Sequence, residues 1–345
     1  MKACILRSEL GVSPQRWMDS CQKYGVESEV INLLSNDWYE RIVSTPCDFY
    51  LACPPGMQEH LKRMYDEKIF LVEKSMGKKV FPSYDEISIY ENKRYFSFFA
   101  KTHNIPVPKT DVFYFQDEAL NFLESAAFPI VGKTSIGAAG SGVRILKSKE
   151  QAEAYIHEAF TSGIKRKSGP QTAGRSKKSL LKKAWDNPKY LLERLHHYKT
   201  FNDFPQKGYV IFQEFIEHEF EWRIIKVGES YFGHKKLKMG EMASGTKLKQ
   251  YDTPPFELLD LVDELCTRLE FDIMAVDLFE NNGKYYVNEM QTKWGQKYDF
   301  LMEVDGKKGR FVKKDNVWVF EEGEFNHNAS FDLKLQHILS VVNNG

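Results

Sequence analysis

Asp277, Glu289 and Gln291 flank an Asn281-Asn282-Gly283 turn signal within FDIMAVDLFENNGKYYVNEMQT, residues 271–292. The runs on either side are rich in aliphatic, aromatic and β-branched residues, so they read as the strands of a hairpin. Strand side chains alternate in direction, which puts Glu289 and Gln291 on one face. Asp277 joins them if the loop holds an odd number of residues, as in a three-residue loop with Gly283 in the left-handed region. A two-residue Asn-Gly turn would send it to the opposite face. The odd loop is the expectation adopted. Two carboxylates and an amide oxygen on one face repel unless a hard cation sits between them. Mg²⁺, with Mn²⁺ as its substitute, suits such an all-oxygen set, particularly where phosphate completes the shell. The competing reading is a half-exposed hairpin carrying ordinary surface acids.

A second constellation lies upstream, in FPIVGKTSIGAAGSGVRILK, residues 128–147. Phe128–Lys133 and Val143–Lys147 read as strands, and the segment between them offers little but backbone. Glycines and small residues let several main-chain N–H groups approach a phosphate, because no Cβ intervenes. Lys133, at the strand end, can lay its ammonium along the same phosphates. Gly132-Lys133-Thr134 is not a Walker A motif: Ala127 stands where the earlier glycine belongs, and a loop and strand follow instead of a helix. A structural glycine hairpin is the alternative. Glu221 and Arg223 share a strand face, as do Lys236 and Lys238. They form either plain cross-strand ion pairs or, in a closed site, contacts to a triphosphate.

Residues 2–82 alternate short apolar strands with helices in β-α-β-α-β-α-β order, implying a small parallel sheet covered by helices. Its loops contain no GxGxxG, which argues against a dinucleotide site; packing and a share of a substrate pocket are both open to it. Tyr90–His103 is expected to be one helix with Lys93 in its first turn, ended by Ile105-Pro106-Val107-Pro108. Residues 161–207 read as an insertion, with Lys165, Arg166, Lys167, Arg175, Lys177, Lys178, Lys182 and Lys183 and no acid between Ser162 and Lys183. That run is a solvated loop, an anionic-substrate clamp or, least favoured, a nucleic-acid contact. A helix from Trp185 to His197, a flexible Gly240–Gly245 loop, an amphipathic helix over Pro254–Leu269, a hairpin at Gly309–Phe320 and a C-terminal helix after Ser330 complete the reading.

Composition narrows the classes. The 345 residues carry 48 Lys+Arg and 48 Asp+Glu, so no global field recruits nucleic acid or a membrane. Five cysteines with no CxxC pair favour reduced thiols and a cytoplasmic setting. No signal peptide or membrane-length apolar run is visible. GxSxG and HExxH are absent, so nucleophile and zinc-protease mechanisms gain no support.

In order, these parts are a lysine helix, strand-Lys-glycine loop, apolar strand ending in QEFI, acid–Arg strand, basic strand and D…ExQ hairpin. Over Glu91–Thr292 the set resembles the ATP-grasp superfamily, closest to carboxylate–amine ligases such as glutathione synthetase and D-alanine–D-alanine ligase. The fold implied is α/β (an α+β grasp): an N-terminal parallel-sheet domain, 1–85, before a two-lobed ATP-grasp. Its nucleotide-binding lobe would be 86–230, with the basic insertion 161–207, and its metal-bearing lobe 231–345. The resemblance implies that Lys93 and Lys133 contact the α- and β-phosphates beneath the loop carrying Ser135, Gly140, Ser141 and Gly142. It implies that Gln213, with main-chain groups of Glu214 and Ile216, holds adenine and that Glu221 (or Glu219) binds ribose. Arg223 and Lys236 would meet the γ-phosphate or acyl phosphate, and Asp277, Glu289 and Gln291 the metal. Gln291 replaces the family's Asn, and Ala275 stands where D-alanine–D-alanine ligase has an arginine that Arg223 would replace. The implied reaction joins a small-molecule, saccharide or peptide carboxylate to an amine through an acyl phosphate, releasing ADP and phosphate. A phosphotransferase and a non-catalytic nucleotide- or nucleic-acid-binding module are the alternatives, and a homo-oligomer is compatible with either.

Overall fold

The computed structural model describes all residues except 9–12, 57, 138–139, 167–203, 240–241, 244–247, 296–297 and 345. Its first sheet comprises β1 (Lys2–Arg7), β2 (Glu27–Asn32), β3 (Phe49–Cys53) and β4 (Val80–Phe81), ordered β2-β1-β3-β4 with every neighbour parallel. Helices α1 (Gln15–Lys23), α2 (Trp38–Ser44) and α3 (Glu59–Phe70) make the crossovers. Strand β3 is buried along its whole length, which is why FYLAC is continuously apolar instead of alternating. This is the expected β-α alternation.

Two local expectations change. Cys4 and Cys47 form a disulfide, with Cα atoms 6.0 Å apart, while Cys21, Cys53 and Cys266 are free and buried. Parallel pairing of β1 with β3 sets Ala3 opposite Phe49 and so brings those two distant cysteines together. Spacing alone does not reveal that meeting. The helix expected over Tyr90–His103 is in fact preceded by a separate one. Helix α4 (Tyr84–Ile89) starts at a Ser83/Glu86 capping box, and α5 (Lys93–Thr102) starts at Asn92, whose side chain accepts from Tyr95 N–H. Glu91 between them has φ +48°, outside the helical region.

The second sheet is antiparallel: β5 (Thr110–Phe113), β6 (Ile130–Lys133), β7 (Val143–Leu146) and β8 (Val210–Glu214), ordered β5-β8-β6-β7. Helices α6 (Gln116–Phe122) and α7 (Lys149–Phe160) cover one face, burying Leu146, Tyr155, Ile156 and Phe212. A Cβ on Gly132 would come within 2.8 Å of the Tyr155 ring, so the packing itself excludes a side chain there.

Among the described residues the third sheet has nine strands: β9 (Phe220–Val227), β10 (Ser230–Met239), β11 (Met242–Ala243), β12 (Lys249–Gln250), β13 (Ile273–Asn281), β14 (Lys284–Gln291), β15 (Glu303–Val304), β16 (Lys307–Lys314) and β17 (Val317–Glu322). Its main path is β14-β13-β9-β10-β16-β15. Helices α8 (Phe256–Arg268) and α9 (Phe331–Asn344) share a core with it and with the first sheet, through Ile5, Trp17, Ile224, Leu259 and Leu335. Glu86 of α4 clamps this junction, its Oε1 accepting from the main-chain N–H groups of Asp272 and Ile273 at 3.1 and 2.7 Å.

Of residues 161–207, only the ends are described; an antiparallel bridge between Ile164 and Gln206 brings them together. The basic run beyond Arg166, the helix expected at Trp185–His197 and most of the Gly240–Gly245 loop lie outside the described residues. No helix among the described residues is long and apolar enough to cross a membrane.

Candidate functional site

The β13–β14 hairpin closes with a two-residue turn, not the odd loop expected. Asn281 pairs with Lys284, and Asn282 and Gly283 take φ +51° and +71°, the geometry in which both central residues have positive φ. Taken alone, that turn would place Asp277 on the wrong face. A β-bulge cancels it: between the Leu278–Val287 and Asp277–Glu289 pairs, β14 carries one extra residue, Asn288. Asp277 therefore stands opposite Glu289, and Ala275 opposite Gln291. The three oxygen-bearing side chains share a face, by a different route from the one anticipated.

On its other side β13 pairs with β9, which sets Arg223 opposite Asp277. Strand β10 follows, with His234 opposite Arg223 and Lys236 opposite Glu221. Arg223 grips Asp277 with two hydrogen bonds, Nε to Oδ1 at 2.6 Å and Nη2 to Oδ2 at 2.7 Å. Lys236 Nζ also donates to Asp277 Oδ2, at 2.7 Å, and to Glu221. Asp277 is fully buried, and Glu221, Arg223 and Lys236 are each no more than 7% exposed. Burial opposes ionisation of Asp277, but Arg223 and Lys236 outweigh it and hold the carboxyl well below the usual range. These are not exposed ion pairs of negligible worth. Gln291 lies alongside, its amide 3.4 Å from Asp277 Oδ2. With the amide turned, its oxygen accepts from Arg223 Nη2 at 2.5 Å and its nitrogen donates to the Lys293 carbonyl at 3.0 Å.

The second sheet and α5 bring two further cations to this face. Lys133 Nζ donates to the bulge residue, Asn288 Oδ1, at 2.9 Å. Lys93 Nζ lies 3.5 Å from Glu289 and 3.8 Å from Glu91. Burial, with Lys93 nearby, lowers the Lys133 ammonium to about 8. Burial works against Lys93 as well, but Glu289 and Glu91 outweigh it and the group is raised.

The glycine loop is tied to the same helix start. Lys93 N–H donates to the Ser135 carbonyl at 2.9 Å, Gly137 N–H to Glu91 at 3.0 Å, and Ser135 N–H to Gln206 at 2.7 Å. A Cβ on Gly142 would fall 1.7 Å from Thr134 Oγ1, and Gly140 has φ +73°, so both positions require glycine for stated reasons. Lys93 Nζ and Ser141 Oγ are buried without a hydrogen-bond partner among the described residues.

The residues expected at adenine are already engaged. Gln213 lies on the Lys133 face of its sheet, opposite Val131, but its Nε2 donates to Thr110 Oγ1 at 2.9 Å. Glu214 N–H goes to the Lys109 carbonyl, and the Ile216 carbonyl meets a His218 ring nitrogen at 2.7 Å. Glu221 is held by Lys236. Sequence reasoning missed Asn288, Glu91, Gln206 and His234. Asn288 left one trace, a polar residue that breaks alternation in YYVNEM; the others left none.

No protein-family model matches the chain. Over 67 residues it is 36% identical to the carbamoyl phosphate synthase large chain of Pyrococcus furiosus, a match covering 19% of this chain and only 6% of that one. Solved structures similar in fold include ATP-grasp proteins and ligases. The RimK-domain ATP-grasp protein of Sphaerobacter thermophilus gives a TM-score of 0.53 at 15% identity, over 84% of this chain and 90% of that one. The D-alanine–D-alanine ligase of Bacillus anthracis complexed with ATP also gives 0.53, at 14% identity over 100% and 99%. The N5-carboxyaminoimidazole ribonucleotide synthetase of Thermotoga maritima gives 0.53 at 15% identity, over 98% and 75%. The parallel N-terminal sheet, the small antiparallel sheet and the large antiparallel sheet thus compose an ATP-grasp fold.

Proposed function

We propose that this chain is an ATP-dependent carboxylate–amine ligase. The observation that carries the reading is the set of buried cations, Lys93, Lys133, Arg223 and Lys236, gathered with Asp277, Glu289 and Gln291 under a glycine loop. Among the described residues, Lys93 Nζ has ion pairs but no close hydrogen bond, and Ser141 Oγ in the glycine loop has no acceptor; phosphate oxygens would supply both. The structural likeness to a protein named as D-alanine–D-alanine ligase agrees with it.

Lys93 and Lys133 would take the α- and β-phosphates, with main-chain N–H groups of Ser135, Gly140, Ser141 and Gly142 closing over them. Main-chain groups of Glu214 and Ile216 would hold adenine, with Gln213 supporting the strand; Glu221 would turn to ribose. Arg223 and Lys236 would exchange Asp277 for the γ-phosphate. The donor set of Asp277, Glu289 and Gln291 fits a hard cation, being all oxygen and drawn from paired positions on adjacent strands. Mg²⁺ or Mn²⁺ held there would offset negative charge on the phosphates. A substrate carboxylate oxygen attacks the γ-phosphorus as the bond to the β–γ bridging oxygen breaks, leaving an acyl phosphate and ADP. An amine nitrogen then attacks the acyl carbon, the C–O bond to phosphate breaks, and the nitrogen loses a proton. The chain aligns the reactants and stabilises charge on the transferring group; it supplies no covalent partner.

The test is an ADP-release screen of acids crossed with amines, with mass spectrometry of products. An amide plus free phosphate supports the ligase; a stable phosphorylated product replaces it with a phosphotransferase. Glu289→Ala is expected to lose turnover, and near-wild-type ATP consumption in that variant would refute the metal assignment.

A further inference from the structure

Arg223 has unlike neighbours on its two sides. Toward β13 its guanidinium is fully used by Asp277. Toward β10 the residue opposite is His234, 1% exposed, with neither ring nitrogen hydrogen-bonded. Beyond it, β12 places Lys249 opposite Lys236. Lys249 has no ion pair or hydrogen bond among the described residues; burial, together with Arg223, lowers its ammonium to about 8. Tyr251 follows two residues later on the same side, its hydroxyl buried and unpartnered and its ring 6.0 Å from that of His234. Burial and the charges of Lys249 and Arg223 keep His234 neutral, so it retains one N–H to donate.

Three donors thus converge without an acceptor, in a structure where buried polar groups are ordinarily paired. Of the neighbouring carboxylates, Asp277 is committed to Arg223 and Lys236, Glu221 to Lys236, and Asp252 to Lys235 and Gln250; Glu303 acts on Tyr251 through its charge but does not hydrogen-bond its hydroxyl. What this corner lacks is an anion. Adjacent strands lie about 4.8 Å apart, so β12 stands about 10 Å across the sheet from the strand bearing Arg223.

We propose that Lys249, His234 and Tyr251 form a subsite for a second anionic group on the acid substrate, a carboxylate, phosphate or sulfate separated from the reacting carboxylate by a short chain or one ring. The proposal rests on the ligase reading for which carboxylate reacts, and it adds the substrate class: a dianionic acid. A monoacid would leave the three donors unpaired.

Two measurements on the full chain test it. In the first, histidine ¹H–¹³C NMR follows the ADP- and Mg²⁺-saturated protein through a sulfate titration at constant ionic strength, with the His234 signal assigned from His234→Gln. That signal is expected to shift saturably, with the apparent Kd at least tenfold weaker in Lys249→Gln and several-fold weaker in Tyr251→Phe. No shift, or one Kd for all three proteins, overturns the subsite. In the second, hydroxylamine replaces the amine, and hydroxamate is measured with butyrate, glutarate and 4-phosphonobutyrate. The two dianions are expected to react, with KM raised at least tenfold in Lys249→Gln. Butyrate reacting as well as glutarate overturns the dianion class while upholding the ligase. Sulfate binding at His234 with no hydroxamate from any acid overturns the ligase reading and leaves the anion subsite standing.

Discussion

Replacing Asp277 by alanine should damage this protein in a way that replacing Glu289 does not. Asp277 is fully buried and accepts three hydrogen bonds, two from Arg223 and one from Lys236. Its removal strands Arg223 where water cannot reach it and leaves Lys236 with Glu221 alone, and breaking a buried pair of this kind costs ~3–5 kcal/mol. At about 2.1 cal/mol/K per residue, a chain of 345 residues has an unfolding entropy of about 0.7 kcal/mol/K, so the melting midpoint should fall by about 4–7 °C. Glu289 is different: its side chain is 24% exposed and its nearest cation, Lys93, is 3.5 Å away. Its loss should cost no more than ~1 kcal/mol, or about 1–2 °C. Scanning calorimetry of Asp277→Ala, Glu289→Ala and wild type in EDTA reads this directly. Addition of ATP without metal should restore part of the Asp277→Ala loss, because phosphate oxygens can pair with these cations. Equal melting of the two variants, or no recovery with ATP, would refute the network described here.

Other outcomes follow from the same geometry. Asn288→Ala removes the acceptor of Lys133, and loss of a hydrogen bond to a charged group, ~1.5–3 kcal/mol, should weaken nucleotide binding about tenfold or more in a titration by fluorescence or calorimetry. The Lys133 ammonium, lowered to about 8, binds phosphate only when protonated, so ATP affinity should be level below pH 8 and fall above it, by up to tenfold per unit. The stability sign runs the other way: between about pH 8 and the ordinary lysine value of 10.5 the unfolded chain binds the extra proton, so this group makes folding more favourable as pH rises. A flat ATP affinity from pH 7 to 9.5 would contradict the placement of Lys133. The Cys4–Cys47 bond closes a separation of 43 residues, worth up to ~4 kcal/mol on the chain-entropy account; Cys47→Ser, or added reductant, should lower the melting midpoint, and an unchanged midpoint would mean that the pair is not bonded in solution.

The order of elements was legible because it depends on local chemistry: the parallel strand β3 is apolar on both faces, and Lys133 ends β6 where the glycine-rich loop begins. What was not legible depends on distant partners. The Cys4–Cys47 bond follows from β1 lying beside β3, and Gln213 turns to Thr110 because β5 lies beside β8. The hairpin differs for a subtler reason. Asn-Gly signals a two-residue turn, and on its own that turn would face Asp277 away from Glu289. The chain keeps both the turn and the meeting, by spending Asn288 on a bulge.

That bulge changes what should be regarded as invariant in the hairpin. Whether Asp277 and Glu289 meet is governed by the count of residues from the closing pair to each acid, including the bulge. A homologue that lost Asn288 while gaining one residue at the tip would preserve the meeting. A single-residue insertion within one strand, between the closing pair and its acid, would turn the far end of that strand over and take one carboxylate out of the site.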